Sequence, residues 1–341
     1  MLALSNPVVN RFSVAQKWAT EFSQSQRRRL TEFVLGLALL LLPFVSSDLF
    51  FIDRFGRYFV WAIFAISVDL MWGYGGMLTF GHAAFFGSGG YLVAIFTTRS
   101  GWFLPIPLWP ALLLALCVVA VFAFLLASLV FRGRLPLRGI EFAVVTLAIA
   151  YLLEQYARAG GEITGGQNGI LFEDNLEIFN FDVHRGRGFY ALAGISLFII
   201  YLISRSFVNS RSGLITRGIR GNEDRIELLG YNVPKLKIGL FVMVSVFAGF
   251  AGALFYLHDG IVSPSAVGVT ASTQVLLWVA LGGRGTLVGP IVGTIVLQHL
   301  TATLSGTLLD TWLLIIGVLL IAVVMIFPSG ILGYLGRGSA K

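Results

Sequence analysis

The chain has 341 residues, of which 57% are hydrophobic and only 12% charged, with a single cysteine and a formal net charge of +7; its mean hydropathy is +0.85. Soluble domains carry about 25% charged residues, so this chain cannot cover a folded surface with groups that prefer water, and its surface has to face lipid. Apolar runs of the roughly 20 residues needed to cross a bilayer recur throughout, where a membrane β-barrel would show short alternating segments; Cys117, standing alone, leaves no disulfide framework or CxxC metal site.

In chain order, residues 1–32 are expected to be a cytoplasmic segment, with SVAQKWATEFSQSQRRR forming either a short amphipathic helix on the membrane surface or a tail. Arg27, Arg28 and Arg29 stand before an apolar run like the start of a secretory signal, but no small-x-small cleavage site follows, so 33–51 is taken as a retained first span. Further spans are predicted near 58–73, 77–98, 108–131, 139–157, 188–205, 236–257, 268–283, 287–305 and 310–327, followed by a cytoplasmic tail at 331–341. The fold class is therefore an all-α membrane protein, a polytopic bundle of about ten segments occupying 33–330. With both ends inside, eighteen of the 24 Lys and Arg residues fall on the cytoplasmic side and six outside, the bias expected of a bacterial inner-membrane protein. Membrane topology thus accounts for the net charge without nucleic acid.

Two connections are long. The outer one (159–188) mixes glycine-rich turns with acids and is expected to pack over the outer mouth; the inner one is NSRSGLITRGIRGNEDRIELLGYNVPK, 209–235. Catalytic signals are absent: there is no GxxxxGK[ST] phosphate loop, no HExxH, no GxSxG elbow, and His82, His184, His258 and His299 show no ligand spacing. The chain is read as a non-enzyme with no cofactor of its own. The four lysines fall in tails or loops, and Asp69, Glu141 and Glu154 are the acids near membrane depth, the two glutamates towards span ends. A proton relay is therefore disfavoured. Asp69 either caps the broken segment that follows it near the inner end or takes a direct part in substrate passage or gating.

The stretch DLMWGYGGMLTFGHAAFFGSGGY, 69–91, holds seven glycines. In lipid, helices associate through close backbone approach, and small residues at every fourth position permit it; Gly285, Gly289 and Gly293 form such a row. The seven glycines of 69–91 are too dense for a plain stripe. Because broken backbone is tolerated at membrane depth only under protein or beside a water-filled cavity, this segment is expected to line the translocation path or a seam with a second chain. Asp69, Tyr74, Thr79 and His82 are the candidate path residues; the hydrogen-bonding groups of the last three serve cargo or are satisfied by neighbouring backbone. In the inner loop, Leu214, Ile215, Ile219, Ile226, Leu228 and Leu229 recur at mostly three-to-four spacing against a charged face. This predicts one amphipathic helix over 213–230, ended by Gly230 and Pro234, with leucines below and charges above; a solvated loop is the alternative.

Three blocks, GLITRGIRGNEDRIELLGYNVPKLK, DLMWGYGGMLTFGHAAFFGSGGY and SPSAVGVTASTQVLLWVALGGRGTLVGPIVG, together resemble the LivM-type permeases of branched-chain amino acid and amide importers of the ATP-binding-cassette class. The likeness covers about 58–330. It implies that the inner loop is the coupling helix docking into the ATPase subunit, through Gly213, Arg217, Ile219, Arg220, Asn222, Glu223, Asp224, Arg225, Leu229 and Gly230; Gly221 departs from the pattern, where an acid is common. It further implies a homologous LivH-type permease, two ATP-binding subunits that hold ATP and Mg, and a periplasmic binding protein as partners, besides membrane lipid. Gln274, Trp278 and the GGRGT turn at 282–286 suggest a span ending at the inner face with Arg284 reaching towards headgroups. Branched-chain amino acids are the default cargo, with urea, short amides or aromatic acids as alternatives; an ion-coupled secondary carrier is the runner-up from another class.

Overall fold

The structure is a computed structural model that describes residues 48–98, 106–133, 139–171, 177–178, 181–182, 186–307 and single positions at 311, 314, 315, 317, 318, 321, 325 and 330. The N-terminal segment, most of the expected first span and most of the tenth lie outside the described residues.

Helix α1 (Leu49–Asp69) starts where the Asp48 carboxylate accepts the amide hydrogen of Phe50, satisfying one of the orphan donors of a helix N-terminus. It thus begins earlier than the expected span at 58, because Asp53, Arg54 and Arg57 are accommodated in its first turns. From Tyr58 to Met71 every residue is buried. A helix that is apolar all round belongs at the centre of a bundle, and α6 (Arg187–Asn209), α9 (Val233–Asp259), α10 (Val269–Gly282) and α11 (Val288–Thr307) pack around α1.

The chain does not continue helically from α1 into the next segment. A π-turn, Leu70–Tyr74, is followed by Gly76 at φ +72° and a non-helical stretch over 77–81, and α2 forms only over His82–Thr97. The helix of the span expected near 77–98 therefore starts at His82, after the broken stretch. At 16 residues for α2 and 14 for α10, these helices reach about 24 and 21 Å at 1.5 Å per residue, short of the roughly 30 Å hydrocarbon layer. They are joined to each other: Ser272 of α10 accepts the amide hydrogen of Ala83 at the start of α2, at 2.9 Å.

Long helices surround this core. α3 (Leu108–Arg132) buries Ala111, Ala115, Val119, Ala123 and Ala127, a stripe at four-residue spacing, and lies along α9. Its other side exposes Leu113, Leu125 and Leu129, and Cys117 is likewise exposed. That division matches a helix with one face on protein and the other on lipid. α4 (Ile140–Ala159) follows, then a short helix α5 (Gly161–Thr164), a 3-10 turn, and strand β1 (Ile170–Leu171). Strands β2 (Glu177–Ile178) and β3 (Phe181–Asp182) pair antiparallel, while β1 pairs with β4 (Ile261–Val262), stitching the long connection between α4 and α6 to the loop after α9. After α6 come α7 (Arg211–Gly221) and α8 (Glu223–Leu228). Among the described residues, α3, α4, α6, α9 and α11 are long and apolar enough to cross a membrane.

The glycines of α2 face this chain's own helices. A Cβ on Gly89 would meet the carbonyl of Gly249, and one on Gly252 would collide with the carbonyl of Phe86, so α2 and α9 touch backbone to backbone. Overpacking a core costs about 1–3 kcal/mol even where side chains can shift; here the obstacle is main chain. Gly252→Leu is expected to abolish a monodisperse, detergent-stable protein, while Gly239→Leu, at a glycine with open space around it, keeps wild-type thermal stability. Size-exclusion profiles and thermal unfolding of the two variants check this.

Candidate functional site

At one end of the bundle the C-terminus of α1, the start of α9, the 283–287 turn and the α7–α8 pair converge. The organising group is Asp69, fully buried. Its Oδ1 accepts the amide hydrogen of Gly285 at 2.5 Å and its Oδ2 that of Leu287 at 3.1 Å. The carboxylate therefore does cap a broken segment, but the one between α10 and α11 and not the one that follows it in sequence. Leu287 sits at φ +59°, among the described residues the sole non-glycine at positive φ, and the bond to Asp69 offsets the strain of that conformation. Gly73 lacks the side chain that would strike both Asp69 and Gly285.

Three arginines engage three successive residues of the π-turn. The Arg284 guanidinium lies 5.4 Å from the Trp72 ring centroid, Arg220 Nη1 donates to the Gly73 carbonyl, and Arg217 stands 5.0 Å from the Tyr74 ring centroid. Arg284, expected to reach for headgroups, has an aromatic partner within the chain.

The single amphipathic helix expected over 213–230 is two helices. Asn222 leaves helical geometry at φ −160° and its side chain accepts the amide hydrogen of Arg225, capping α8. Gly230, at φ +85°, ends the segment as the sequence suggests, and Pro234 sits in the first turn of α9, where its missing N–H costs nothing. The break resets the helical phase, so the expected division of faces is corrected. Leu228 is 89% exposed, Leu229 66% and Leu214 58%. Arg217, Arg220, Asp224 and Arg225 are also exposed, whereas Gly213 and Ile219 are buried; Arg220, though exposed, carries its guanidinium to the Gly73 carbonyl.

Lys237, expected in a loop, is 5% exposed in α9 and pairs with Glu223 at 2.6 Å, with its ammonium 5.5 Å from the Phe131 ring centroid. Nothing in the sequence marks this pair, because its partners lie on either side of a helix break.

The candidate path residues are turned inward. Thr79 Oγ1 accepts the amide hydrogen of Gly81. His82 is buried with Nε2 3.1 Å from Ser67 Oγ, and since that hydroxyl donates to the Phe64 carbonyl, the ring nitrogen is the donor. Tyr74 is buried against Arg217. The expected glycine row is also divided: Gly289 and Gly293 press α11 against Gly282 and Trp278 of α10, while Gly285 belongs to the preceding turn and faces Gly73.

The opposite end is held by a second polar cluster that the sequence did not reveal. His258 lies between Asp259 (Nδ1 to Oδ1, 2.9 Å) and Asp53 (Nε2 to Oδ1, 3.2 Å), Arg57 pairs with Asp259 at 2.8 Å, and Asp53 accepts the amide hydrogen of Gly186. These contacts tie α1 to α9 and to the start of α6. Among the described residues no group of His, Cys, Asp and Glu could hold a metal ion.

A multi-pass helical membrane protein with discontinuous helices and an amphipathic surface pair at one end is the class that fold and site define. The chain belongs to the family of permease components of branched-chain amino acid transport systems, whose family model matches residues 52–324. It is 27% identical over 296 residues to the high-affinity branched-chain amino acid transport system permease protein LivM of Salmonella typhimurium, covering 80% of this chain and 68% of that protein. The Escherichia coli K12 LivM protein is similar to the same degree. LivH of Escherichia coli K12, a permease protein of the same kind of system, is 22% identical over 80% of this chain and 91% of its own length. No solved structure matches the chain.

A hydrogen bond to a charged group contributes about 1.5–3 kcal/mol. Lys237→Met, which removes the ammonium that Glu223 pairs with, is expected to loosen α8 from α9, seen as proteolytic cleavage within 221–232 at least tenfold faster than in the wild type, with the rest of the bundle still protected.

Proposed function

We propose that this chain is one of two permease subunits of an ATP-binding-cassette importer in a bacterial plasma membrane, with α7 and α8 on the cytoplasmic side. The observation that carries the reading is the exposure of Leu214, Leu228 and Leu229 beside Arg217, Asp224 and Arg225. Apolar side chains grouped on a surface and rimmed by charge compose a protein-docking patch, and this patch sits at the end of the bundle where α1 breaks. A pair of ATPase subunits, holding ATP and Mg, would dock there. The LivH-like partner is supported by the similarity of this chain to LivM and LivH proteins alike, and a periplasmic binding protein would deliver cargo to the far end.

Branched-chain amino acids are the proposed cargo, supported by the family to which the chain belongs. The pathway would follow the exposed polar strip of α10, Thr270, Thr273 and Gln274, which stand on one helix face at three-to-four spacing. Polar groups on an unpaired face at membrane depth mark a wet route or a subunit seam. Asp69, Tyr74, Thr79 and His82 would shape the wall behind it.

Proteoliposomes holding this chain, its partner permease, the two ATPases and the binding protein are expected to accumulate leucine only with ATP. Replacing both Leu228 and Leu229 by aspartate is expected to lower ATPase co-purification at least tenfold while the permease pair stays intact. Uptake by this chain alone, indifferent to ATP and abolished by an ionophore, would identify a secondary carrier and overturn the reading.

A further inference from the structure

Arg220 stands on the surface helix α7 yet spends its guanidinium on the interior. Its Nη1 donates to the carbonyl of Gly73, in the last helical turn of the broken segment, and carbonyls at a helix C-terminus lack intrahelical partners. Its aliphatic stem lies over Gly76, where a Cβ would come within 2.8 Å of Arg220 Cγ. Four residues before Gly73, Asp69 grips the turn at Gly285 and Leu287. The same short piece of backbone is thus held from the surface by Arg220 and from the α10–α11 turn by Asp69.

We propose that Arg220 is the positioning residue through which displacement of α7 enters the membrane-embedded bundle, passing from its guanidinium to the Gly73 carbonyl and from Asp69 to the 283–287 turn. The inference rests on the reading that α7 and α8 are what a partner ATPase moves. The physical basis is the difference between the two kinds of arginine on this surface. Both Arg220 and Arg225 are exposed, but the guanidinium of Arg225 has no main-chain anchor in the bundle among the described residues, while that of Arg220 donates a directional, charge-assisted bond to the Gly73 carbonyl. A side chain that spans from the moving helix to backbone cannot yield by rotamer change without releasing the bond. Displacing α7 must therefore drag the π-turn. Because the π-turn touches the turn that leads into α11, and α10 carries the proposed cargo strip, a surface displacement reaches the route without any charge crossing the membrane.

The test uses the assembled importer in nanodiscs, with Arg220→Gln, Arg220→Lys and the exposed Arg211→Gln as control. Arg220→Gln is expected to keep its ATPases bound and hydrolysing while leucine transported per ATP falls at least tenfold. Arg220→Lys, which can still reach the carbonyl, recovers to within about threefold of wild type, and Arg211→Gln is unchanged. Hydrogen exchange on the purified chain supplies a second readout independent of any ATPase: amides in 70–77 and 283–288 exchange faster in Arg220→Gln. A wild-type coupling ratio in Arg220→Gln overturns the proposal, as does loss of ATPase binding with exchange unaltered, which would make Arg220 a docking residue. Unaltered exchange overturns the linkage even if the wild-type assembly shows no ATP-driven uptake, the result that would sink the importer reading itself.

Discussion

The buried carboxylate of Asp69 is the constraint from which the arrangement of one whole end of the bundle follows. A charge or acid without water must be supplied with donors, and here the donors are two amide hydrogens from a turn 216 and 218 residues further along the chain. Meeting that requirement brings the α10–α11 turn against the end of α1, demands a glycine at 73, and holds Leu287 in a left-handed conformation that few side chains adopt. The hydrogen-bonding need of one residue therefore places three segments that local propensity alone would leave independent.

The glycine-rich segment shows how the choice of solvent changes what a sequence means. Without a hydrophobic force between helices in lipid, cohesion depends on contact distance, and α2 meets α9 at a seam where carbonyls occupy the space of missing side chains. The same logic, carried by alanine, aligns α3 with α9. α1, in contrast, is enclosed by protein along most of its length, so the apolar character that reads as lipid exposure reflects burial among other helices.

That ambiguity sets what could be read from the residues. The helical membrane class, the family and the break near 69–81 were legible, because charge depletion, matched blocks and clustered glycine are local features. Asp69 was legible as a capping group but not its partner, since nothing in sequence separates a turn two hundred residues away from the adjacent one. The surface helix was legible as amphipathic, yet its faces were not. Asn222 resembles any polar residue of a charged face until it stops α7 and caps α8, and beyond that break Leu228 and Leu229 are exposed. Lys237 reads as a loop residue because helix α9 begins with a proline that reads as a terminator from one side and an initiator from the other.

The distance in sequence between Asp69 and its donors also orders events during biosynthesis. Ribosomes add about 5–20 residues per second, so after Asp69 enters the bilayer about 10–40 s elapse before the amides of Gly285 and Leu287 exist. Throughout that interval the acid must be hydrated, held at the lipid headgroups or sheltered by the insertion machinery. Final seating of α1 at the centre of the bundle is consequently a late step, completed only after the 283–287 turn has been delivered.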